Sequence, residues 1–300
     1  MMINFIDRKC PVCKENLNNK PSILPDINPE HDTDIIKNYW TGIYKLKIFF
    51  PYHRCKCGTL YNKKFFDKES LNQLYSNQED NVFSGDIRSD MKTKKAYLKQ
   101  IKNIFSFESE KINILEVGAD NGSFSKLLAE TDFVHNISIV EPNQRMHSSL
   151  KLITSSVFNN IKEIPLEVKF DLIIAIHVLD HISNLGIYID ELSKHLKEGG
   201  FIYGVVHNEK SIMAKVLKNR WPAYRLQHPH LFNPSTINLF FKRSKFKKLF
   251  IKKTINYFNI GYLLKRLSIA ILKKEINFPN FFSVGLKLGN FSFLYKKKVE

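Results

Sequence analysis

The sequence has no long apolar run. No stretch offers the roughly 18 consecutive uncharged apolar residues that a membrane-spanning helix needs. The opening residues, MMINFIDRKCPVC, also lack the apolar segment of a secretory signal peptide. We therefore predict a chain that has no membrane span and works in the cytoplasm.

Acidic residues are scarce, since 29 Asp and Glu stand against 46 Lys and Arg and leave a net charge of +17. Residues 240–300 hold 15 Lys and Arg, with Glu275 and Glu300 as the only acids. Such a surface suits an anionic acceptor, an anionic membrane or nucleic acid, and it can equally be an ordinary solvated face. We predict an anionic acceptor, with peripheral membrane contact through the basic C-terminal region as an alternative and nucleic acid as the less favoured partner.

Cysteine is also rare, and all four cysteines lie within the first 57 residues, in a CPVC and a CKCG motif: Cys10, Cys13, Cys55 and Cys57. Paired thiolates on two tight turns suit a tetrahedral zinc ion, Zn2+. A cytoplasmic location argues against disulfides. The second pair is C-x-C where C-x-x-C is commoner, so His53 or His31 in place of one cysteine, or no metal at all, remains an alternative.

A closed four-sulfur site leaves no open position for a substrate, so its role would be structural. The aromatic, partly alternating segment between the two pairs, residues 38–55, is typical of short strands. Residues 1–69 are therefore predicted to form a small zinc-ribbon module.

Residues 89–107 have helical apolar spacing, and residues 70–110 are predicted to be a helical linker.

Strands and helices alternate from residue 112 onward. The predicted strands are 112–119, 136–142 and 201–208, with a further strand and the loop after it within 170–182, and the predicted helices are 122–131, 144–153 and 185–200, the last ended by Gly199 and Gly200. This alternation predicts an α/β fold with a mostly parallel sheet and helices on both faces. Ligands of such sheets bind at the carboxyl ends of the strands.

The first predicted strand runs into the turn Gly118-Ala119-Asp120-Asn121-Gly122, which lacks the strict G-x-G-x-x-G of dinucleotide enzymes. Asp120 fits a turn because Asp tolerates left-handed backbone angles. Glu141 ends the second strand, where a carboxylate can accept hydrogen bonds from ribose hydroxyls. The alternative for Glu141 is an ordinary strand-end carboxylate before Pro142.

These features resemble the class I S-adenosylmethionine-dependent methyltransferases. The matching stretches follow the family's order over residues 112–299: ILEVGADNGSFSKLL, SIVEPN, FDLIIAIHVLDHI, LSKHLKEGGFIYGVV and FSVGLKLGNFSFLYKKK. The resemblance implies a Rossmann-like fold whose last strand is antiparallel and lies at the sheet edge. It implies a methyltransferase domain over residues 111–300, with an acceptor-side insertion at 211–241.

A narrower resemblance is to zinc-bearing methyltransferases of sugar and surface-polysaccharide biosynthesis. It rests on the cysteine module, on GADNG, which is close to that group's GSNDG turn, and on WPAYRLQHPHLFNPSTINLFF at 221–241. The departures are the C-x-C pair and RSKF at 243–246, where a glycine usually precedes the phenylalanine. The chain also looks too short for the extra domain of C-methylating members, which favours methyl transfer to oxygen or nitrogen.

Cofactor-binding residues follow from the resemblance to the wider family. Glu116, Gly118 and Gly122 would surround the methionine moiety of S-adenosylmethionine, and Glu141 would bind its ribose. Asn160 falls where the adenine amino group is often met. Ile176 and His177 would line the pocket beyond the fourth strand of the family's order.

The catalytic candidates are His181 and His230, because histidine can act as a base near neutral pH. A structural role is the alternative for each, and His207 is a further candidate at the end of its strand. His177, Asp180 and His181 would share one face of a helix. Some quinone-biosynthesis methyltransferases carry a metal-binding cluster at this place, so a divalent ion is another alternative.

Residues 261–276 are predicted to form a basic amphipathic helix that either packs in the core or rests on an anionic membrane. The sequence as a whole predicts an S-adenosylmethionine-dependent methyltransferase that acts on a sugar, a sugar nucleotide or a lipid-linked glycan intermediate. An RNA methyltransferase is the first alternative, although no N-P-P-Y motif follows the fourth strand. A non-catalytic scaffold with the same fold is the second.

Overall fold

A computed structural model describes residues 3–16, 18–31, 33, 35–40, 46–76, 87–105, 110–272, 274–279 and 282–299. The strands are β1 Phe5–Asp7, β2 Tyr52–Arg54, β3 Leu60–Asn62, β4 Lys64–Phe66, β5 Ile112–Val117, β6 Val134–Val140, β7 Val157–Phe158, β8 Phe170–Ile176, β9 Leu196–His207, β10 His230–Leu231, β11 Phe246–Lys253, β12 Asn256–Asn259, β13 Ser283–Leu286 and β14 Asn290–Lys297. The α-helices are α1 Ile35–Tyr39, α2 Lys68–Ser76, α3 Ile87–Phe105, α4 Ser123–Ala129, α5 His147–Leu150, α6 Leu185–Lys194, α7 Ile212–Leu217, α8 Pro234–Arg243 and α9 Ile260–Leu267. Parts of the predicted segments 38–55, 70–110 and 261–276 lie outside the described residues.

A seven-stranded sheet in the order β11-β14-β9-β8-β5-β6-β7 forms the centre of the fold. Strands β5 to β9 are mutually parallel, and β14 is antiparallel to both of its neighbours. Apolar side chains cover both faces of the parallel strands, as expected for a sheet between helix layers. The α/β Rossmann-like prediction and the antiparallel direction of the last strand are thereby confirmed.

The predicted edge position of the last strand is wrong, because β14 lies between β9 and β11. Its side chains are buried on both faces, and Phe293 fills the space above Gly204, where a Cβ atom would lie 2.2 Å from the Phe293 ring. Strand β11 instead carries Lys247, Lys248, Lys252 and Lys253, and lysines of this kind suit an exposed edge because they oppose pairing with other chains.

The predicted helix at 185–200 is too long. Helix α6 ends at Lys194, and β9 begins at Leu196, so LKEGG belongs to the strand. Leu196 is buried and pairs with Phe170 of β8, while Gly199 has a φ of +73°. Sheet pairing of this segment therefore prevails over a helical cap at the two glycines.

Helix α3 lies against the seven-stranded sheet. Its buried face consists of Ser89, Thr93, Tyr97, Leu98, Ile101 and Phe105. The Thr93 hydroxyl oxygen accepts the backbone N–H of Tyr257 in β12 at 2.8 Å, and Asn256 donates to the Tyr97 hydroxyl at 2.7 Å. The helical prediction for this segment is confirmed, whereas the domain boundaries at 69, 110 and 111 stay predictions.

The N-terminal segment, which extends to the end of α2 at Ser76, packs against residues 211–241, the predicted insertion, through a shared sheet. Strand β3 pairs with β2 on one side and with β10 of the insertion on the other, where Tyr61 faces His230 and Leu60 faces Leu231. The guanidinium of Arg8 reinforces this contact by donating to the carbonyl oxygens of Asn62, Pro229 and Ser183 at 3.1, 2.8 and 2.7 Å. The N-terminal segment, residues 211–241 and the loop after β8 therefore form one continuous surface above the sheet edge, which we call the composite wall.

The C-terminal amphipathic helix is shorter than predicted. Helix α9 ends at Leu267 and continues as a π-helical turn over Ser268–Leu272. Leu264, Ile271 and Leu272 are 37%, 58% and 59% exposed, so this part of the apolar stripe does not lie in the core. In the part of the chain that the structure describes, no helix is long and apolar enough to span a membrane.

Candidate active site

The turn after β5 adopts a backbone that favours small residues. Gly118, Asp120 and Gly122 have φ angles of +70°, +51° and +75°. A Cβ atom on Gly118 would lie 2.5 Å from Val178 Cγ2, and one on Gly122 would lie 2.6 Å from Leu150 Cδ2. The turn is therefore closely packed and left-handed, and it leads into α4 with its backbone amides near the carboxyl edge of the sheet.

Two buried carboxylates flank this turn. The Glu141 carboxylate accepts the backbone N–H of Asp120 at 2.8 Å and that of Asn143 at 2.9 Å, one on each oxygen. Glu116 accepts the Ser125 hydroxyl from α4. Burial raises the pKa of Glu116 to about 7 and also raises the pKa of Glu141. Glu141 thus holds the turn at the position predicted for the ribose contact.

The remaining residues predicted to bind the cofactor lie along the same edge. Asn160 follows β7, is exposed, and donates to Glu163 at 2.6 Å. Ile176 ends β8, opposite Val205 of β9. His177 comes next with a φ of +55°, a strained value for a residue with a side chain. The fold thus brings these residues to one edge, and their individual roles stay predictions.

His181 belongs to a chain of hydrogen bonds that begins in the N-terminal segment. The Tyr75 hydroxyl of α2 lies 3.1 Å from His181 Nδ1, and His181 Nε2 lies 3.2 Å from His228 Nε2. His228 Nδ1 lies 2.7 Å from the Ala223 carbonyl oxygen and therefore carries a hydrogen. Burial lowers the pKa of His181 to about 3 and the pKa of His228 well below its ordinary value, so both rings are neutral.

His230 occupies a structural position. Its side chain is fully buried, with Nε2 at 2.9 Å from the Leu179 carbonyl oxygen and Nδ1 at 3.5 Å from the Arg8 guanidinium. Burial lowers the pKa of His230 well below its ordinary value. The ring links the insertion to the loop after β8, and its predicted catalytic role remains untested.

The segment after β8 does not form the expected helix face. Leu179–His181 is a single 3-10 turn, and it directs the fully buried Asp180 toward His207 at the end of β9. Asp180 Oδ2 accepts the backbone N–H of His207 at 2.9 Å and lies 2.7 Å from His207 Nδ1. His177, Asp180 and His207 each place a potential ligand atom within 4.8 Å of the others, whereas His181 lies outside that group.

The four cysteines form one compact cluster. Their sulfur atoms lie within 4.8 Å of one another, with Cys10 Sγ 3.6 Å from Cys57 Sγ and Cys13 Sγ 3.2 Å from Cys55 Sγ. Sulfurs of a tetrahedral zinc site lie about 3.8 Å apart, because Zn–S bonds are about 2.3 Å long. Lys14 and Gly58, with φ angles of +65° and +92°, close the two turns. The donor set and its spacing therefore fit zinc.

The sheet order, the glycine turn after β5 and the carboxylate after β6 define a Rossmann-like methyltransferase fold. The model of the family described as "Methyltransferase domain" matches residues 88–249, more than half of the chain, so the chain belongs to that family. The protein is an S-adenosylmethionine-dependent methyltransferase.

Solved structures of similar fold include three bacterial and archaeal proteins. The N-methyltransferase NodS from Bradyrhizobium japonicum WM9, in complex with S-adenosyl-L-homocysteine, is 14% identical with a TM-score of 0.47 and covers 76% of this chain and 96% of its own. YcgJ from Bacillus subtilis is 15% identical (TM-score 0.47, covering 68% and 99%), and an S-adenosylmethionine-dependent methyltransferase from Methanosarcina mazei is 13% identical (0.45, 66% and 98%). Among curated proteins, no sequence matches this chain.

Sequence reasoning missed three residues of this region: Arg8, Tyr75 and Glu209. Glu209 is buried, pairs with Arg54 at 2.9 Å and accepts the Asn233 amide at 2.7 Å. Arg8 and Tyr75 come from the N-terminal segment and meet the site only through the fold. No local motif marks any of the three, and a signal for them would have required knowledge of the β3–β10 pairing.

Proposed function

We propose that the protein methylates an oxygen or nitrogen atom of a sugar, a sugar nucleotide or a lipid-linked glycan intermediate. The observation that carries this proposal is the composite wall above the sheet edge, to which the cysteine-bearing segment with helix α2, the loop after β8 and the insertion at 211–241 all contribute. Tyr75, His181 and His228 join the three parts by hydrogen bonds. Because the nitrogens of His181 and His228 are engaged with protein atoms, acceptor hydroxyl groups would contact the partly exposed His207 beside them.

A positive charge lies beside this wall. Arg225 precedes His228 by three residues, and after burial its charge is among the causes that lower the pKa of His181 and of His228. A cation at this place favours an acceptor with a phosphate or carboxylate group. This supports a nucleotide-linked or phospholipid-linked sugar over a neutral one.

The chain's own residues supply binding and alignment for the reaction. Bound S-adenosylmethionine carries the methyl group as a reactive sulfonium. Glu141 would hold its ribose, the Gly118–Gly122 turn would surround its methionine part, and Asn160, Ile176 and His177 would border its adenine and the pocket. The composite wall would exclude water and hold the acceptor atom in line with the methyl carbon.

We also propose that the four cysteines hold one structural zinc ion. The ion would fix the CPVC and CKCG turns, and through β3 it would support the pairing with β10. A site with four protein sulfurs has no open position, so the ion would take no part in methyl transfer.

The basic C-terminal surface is proposed to bring the enzyme to an anionic membrane. Exposed apolar side chains there stand among cations, with Leu264, Ile271 and Leu272 close in sequence to Lys265 and Arg266. Insertion of apolar side chains and attraction of cations act together in peripheral membrane binding. A lipid-linked acceptor would be met at the same surface.

The acceptor class is tested with purified protein and S-adenosylmethionine. A panel of nucleotide sugars, a lipid-linked sugar in vesicles and an RNA mixture are compared by the release of S-adenosylhomocysteine. Product mass should rise by one CH2 group with a sugar acceptor, and glycans from cells with and without the gene should differ by the same mass. Release with RNA alone would overturn the proposal and support the RNA alternative. Failure to bind S-adenosylmethionine in calorimetry would indicate a non-catalytic scaffold.

A further inference from the structure

Five histidines lie near the carboxyl edge of the sheet, and their ring nitrogens are not equally available: His177, His181, His207, His228 and His230. Both nitrogens of His181, His228 and His230 contact protein atoms. His177 Nε2 lies 3.4 Å from the Asn290 amide nitrogen, and its Nδ1 is buried. The rings of four of the five therefore present no accessible lone pair: His177, His181, His228 and His230.

His207 differs from the other four. Its Nδ1 is bound to Asp180, and among the described residues its Nε2 has no hydrogen-bond partner. Its side chain is 19% exposed, in contrast to the fully buried Asp180. The ring lies beside those of His177 and His228, with centroids 4.7 and 5.0 Å away. His207 is therefore the histidine of this group that combines a partly exposed side chain with a ring nitrogen, Nε2, that has no partner among the described residues.

Asp180 fixes which nitrogen of His207 carries the hydrogen. Oδ2 already accepts the backbone N–H of His207 at 2.9 Å, and its 2.7 Å contact with Nδ1 requires a hydrogen on Nδ1. The lone pair of the neutral ring then belongs to Nε2. A buried carboxylate that binds Nδ1–H also stabilises the imidazolium that forms when Nε2 takes up a proton.

The same hydrogens argue against a cation shared by His177, Asp180 and His207. His207 Nδ1 donates to Asp180. His177 Nε2 accepts from Asn290, so the hydrogen of this neutral ring is on Nδ1. A cation between the three groups would contact His177 Nδ1 and Asp180 Oδ1, which are buried and have no hydrogen-bond partner among the described residues, and it would require the His177 hydrogen on Nε2. The contacts that the structure shows are those of a hydrogen-bonded dyad, and Mn2+ binding distinguishes the two arrangements.

We propose that His207 is the general base for methylation of a hydroxyl group and that Asp180 is its positioning residue. This inference rests on the proposed function and selects oxygen as the methylated atom. The acceptor oxygen bonds to the methyl carbon as the carbon–sulfur bond breaks, and the electron pair of that bond goes to sulfur. The hydroxyl proton passes to His207 Nε2, and the resulting imidazolium is paired with Asp180.

The kinetic test compares His207→Ala and Asp180→Asn with His135→Ala, an exposed histidine on β6. With the nucleotide sugar that the wild type methylates, kcat should fall about 100- to 10,000-fold in the first two variants. The KM for the acceptor and the affinity for S-adenosylmethionine should change little. Added imidazole should restore part of the activity of His207→Ala and none of that of the wild type. Loss of cofactor affinity in parallel with kcat, or no loss of kcat, would overturn the proposal.

A labelling test does not depend on knowing the acceptor. Diethyl pyrocarbonate acylates accessible lone pairs of neutral imidazole, so His207 should react faster than the other four histidines near the edge, as read by mass spectrometry. Asp180→Asn should slow this reaction, because its amide would favour a hydrogen on Nε2. An unreactive His207 in protein whose His135 reacts would overturn the proposal. The proposal would also be overturned if the wild type binds Mn2+, as detected by electron paramagnetic resonance, and Asp180→Asn does not. If the labelling result holds while no hydroxyl acceptor is methylated, the proposed function fails and not the arrangement of the dyad.

Discussion

Replacing Glu141 by glutamine would test the turn and the cofactor site together. Both carboxylate oxygens accept a backbone N–H, from Asp120 at 2.8 Å and from Asn143 at 2.9 Å. Glutamine is nearly the same size but offers one acceptor oxygen, and its NH2 group must face one of the two N–H groups. One hydrogen bond is therefore replaced by a donor–donor contact, and the negative charge expected at the ribose is lost.

A hydrogen bond to a charged group contributes about 1.5–3 kcal/mol. The loss of one such bond to the ribose would weaken S-adenosylmethionine binding by about 10- to 150-fold. Calorimetric titration of the cofactor analogue S-adenosylhomocysteine measures this directly. Glu167→Gln is the matched control, because Glu167 is exposed and lies between β7 and β8, away from the turn. An unchanged affinity in Glu141→Gln, with normal thermal unfolding, would remove Glu141 from the ribose role.

Three further predictions concern metal, backbone and pH. Cys55→Ser should lower the zinc content from near one ion per chain to near zero and destabilise the N-terminal segment; full zinc by elemental mass spectrometry would contradict the four-sulfur site. Gly118→Ala, at a φ of +70° and with its Cβ 2.5 Å from Val178, should lower the free energy of unfolding by about 2–4 kcal/mol. The control is Gly289→Ala, whose added Cβ would have no neighbour within 4 Å and whose free energy of unfolding should be nearly unchanged; thermal unfolding measures both variants. Burial raises the pKa of Glu116 from 4.5 to about 7, so its contribution to stability is complete below pH 4.5 and is lost as the pH rises through about 7, by about 3 kcal/mol. In urea unfolding, the free energy of unfolding should differ less between pH 5 and pH 8 in Glu116→Gln than in the wild type. An equal difference would refute the raised pKa of Glu116.

The cofactor half of the site could be predicted because its signals are local. A buried strand, a small-residue turn and a helix follow one another in 30 residues or fewer, and their backbone angles depend on adjacent residues, as the φ of +51° at Asp120 illustrates. The four cysteines were grouped for a similar reason, since two short motifs each fix a pair. The expected cysteine cluster agrees with the structure, and the ion it would hold stays a proposal.

The acceptor half could not be predicted in the same way, because it depends on contacts between distant segments. His230 has the same local sequence whether its nitrogens are free or bound to Arg8 and Leu179. The distinction between His181 and His207 follows from Tyr75 and Asp180, and only the fold places those groups beside the rings. Position in the sheet is equally non-local, as the insertion of β14 between β9 and β11 shows.

The pairing of β3 with β10 has a consequence for how the chain folds during synthesis. Tyr61 and His230 are neighbours in a sheet although 168 residues separate them along the chain. Closing so long a loop is entropically costly, and contacts of this kind slow folding. Strand β3 is synthesised well before β10, so it must wait for the intervening residues before it finds its second partner. Until then its unpaired strand edge is open to association with other chains, so we expect that early truncation products aggregate.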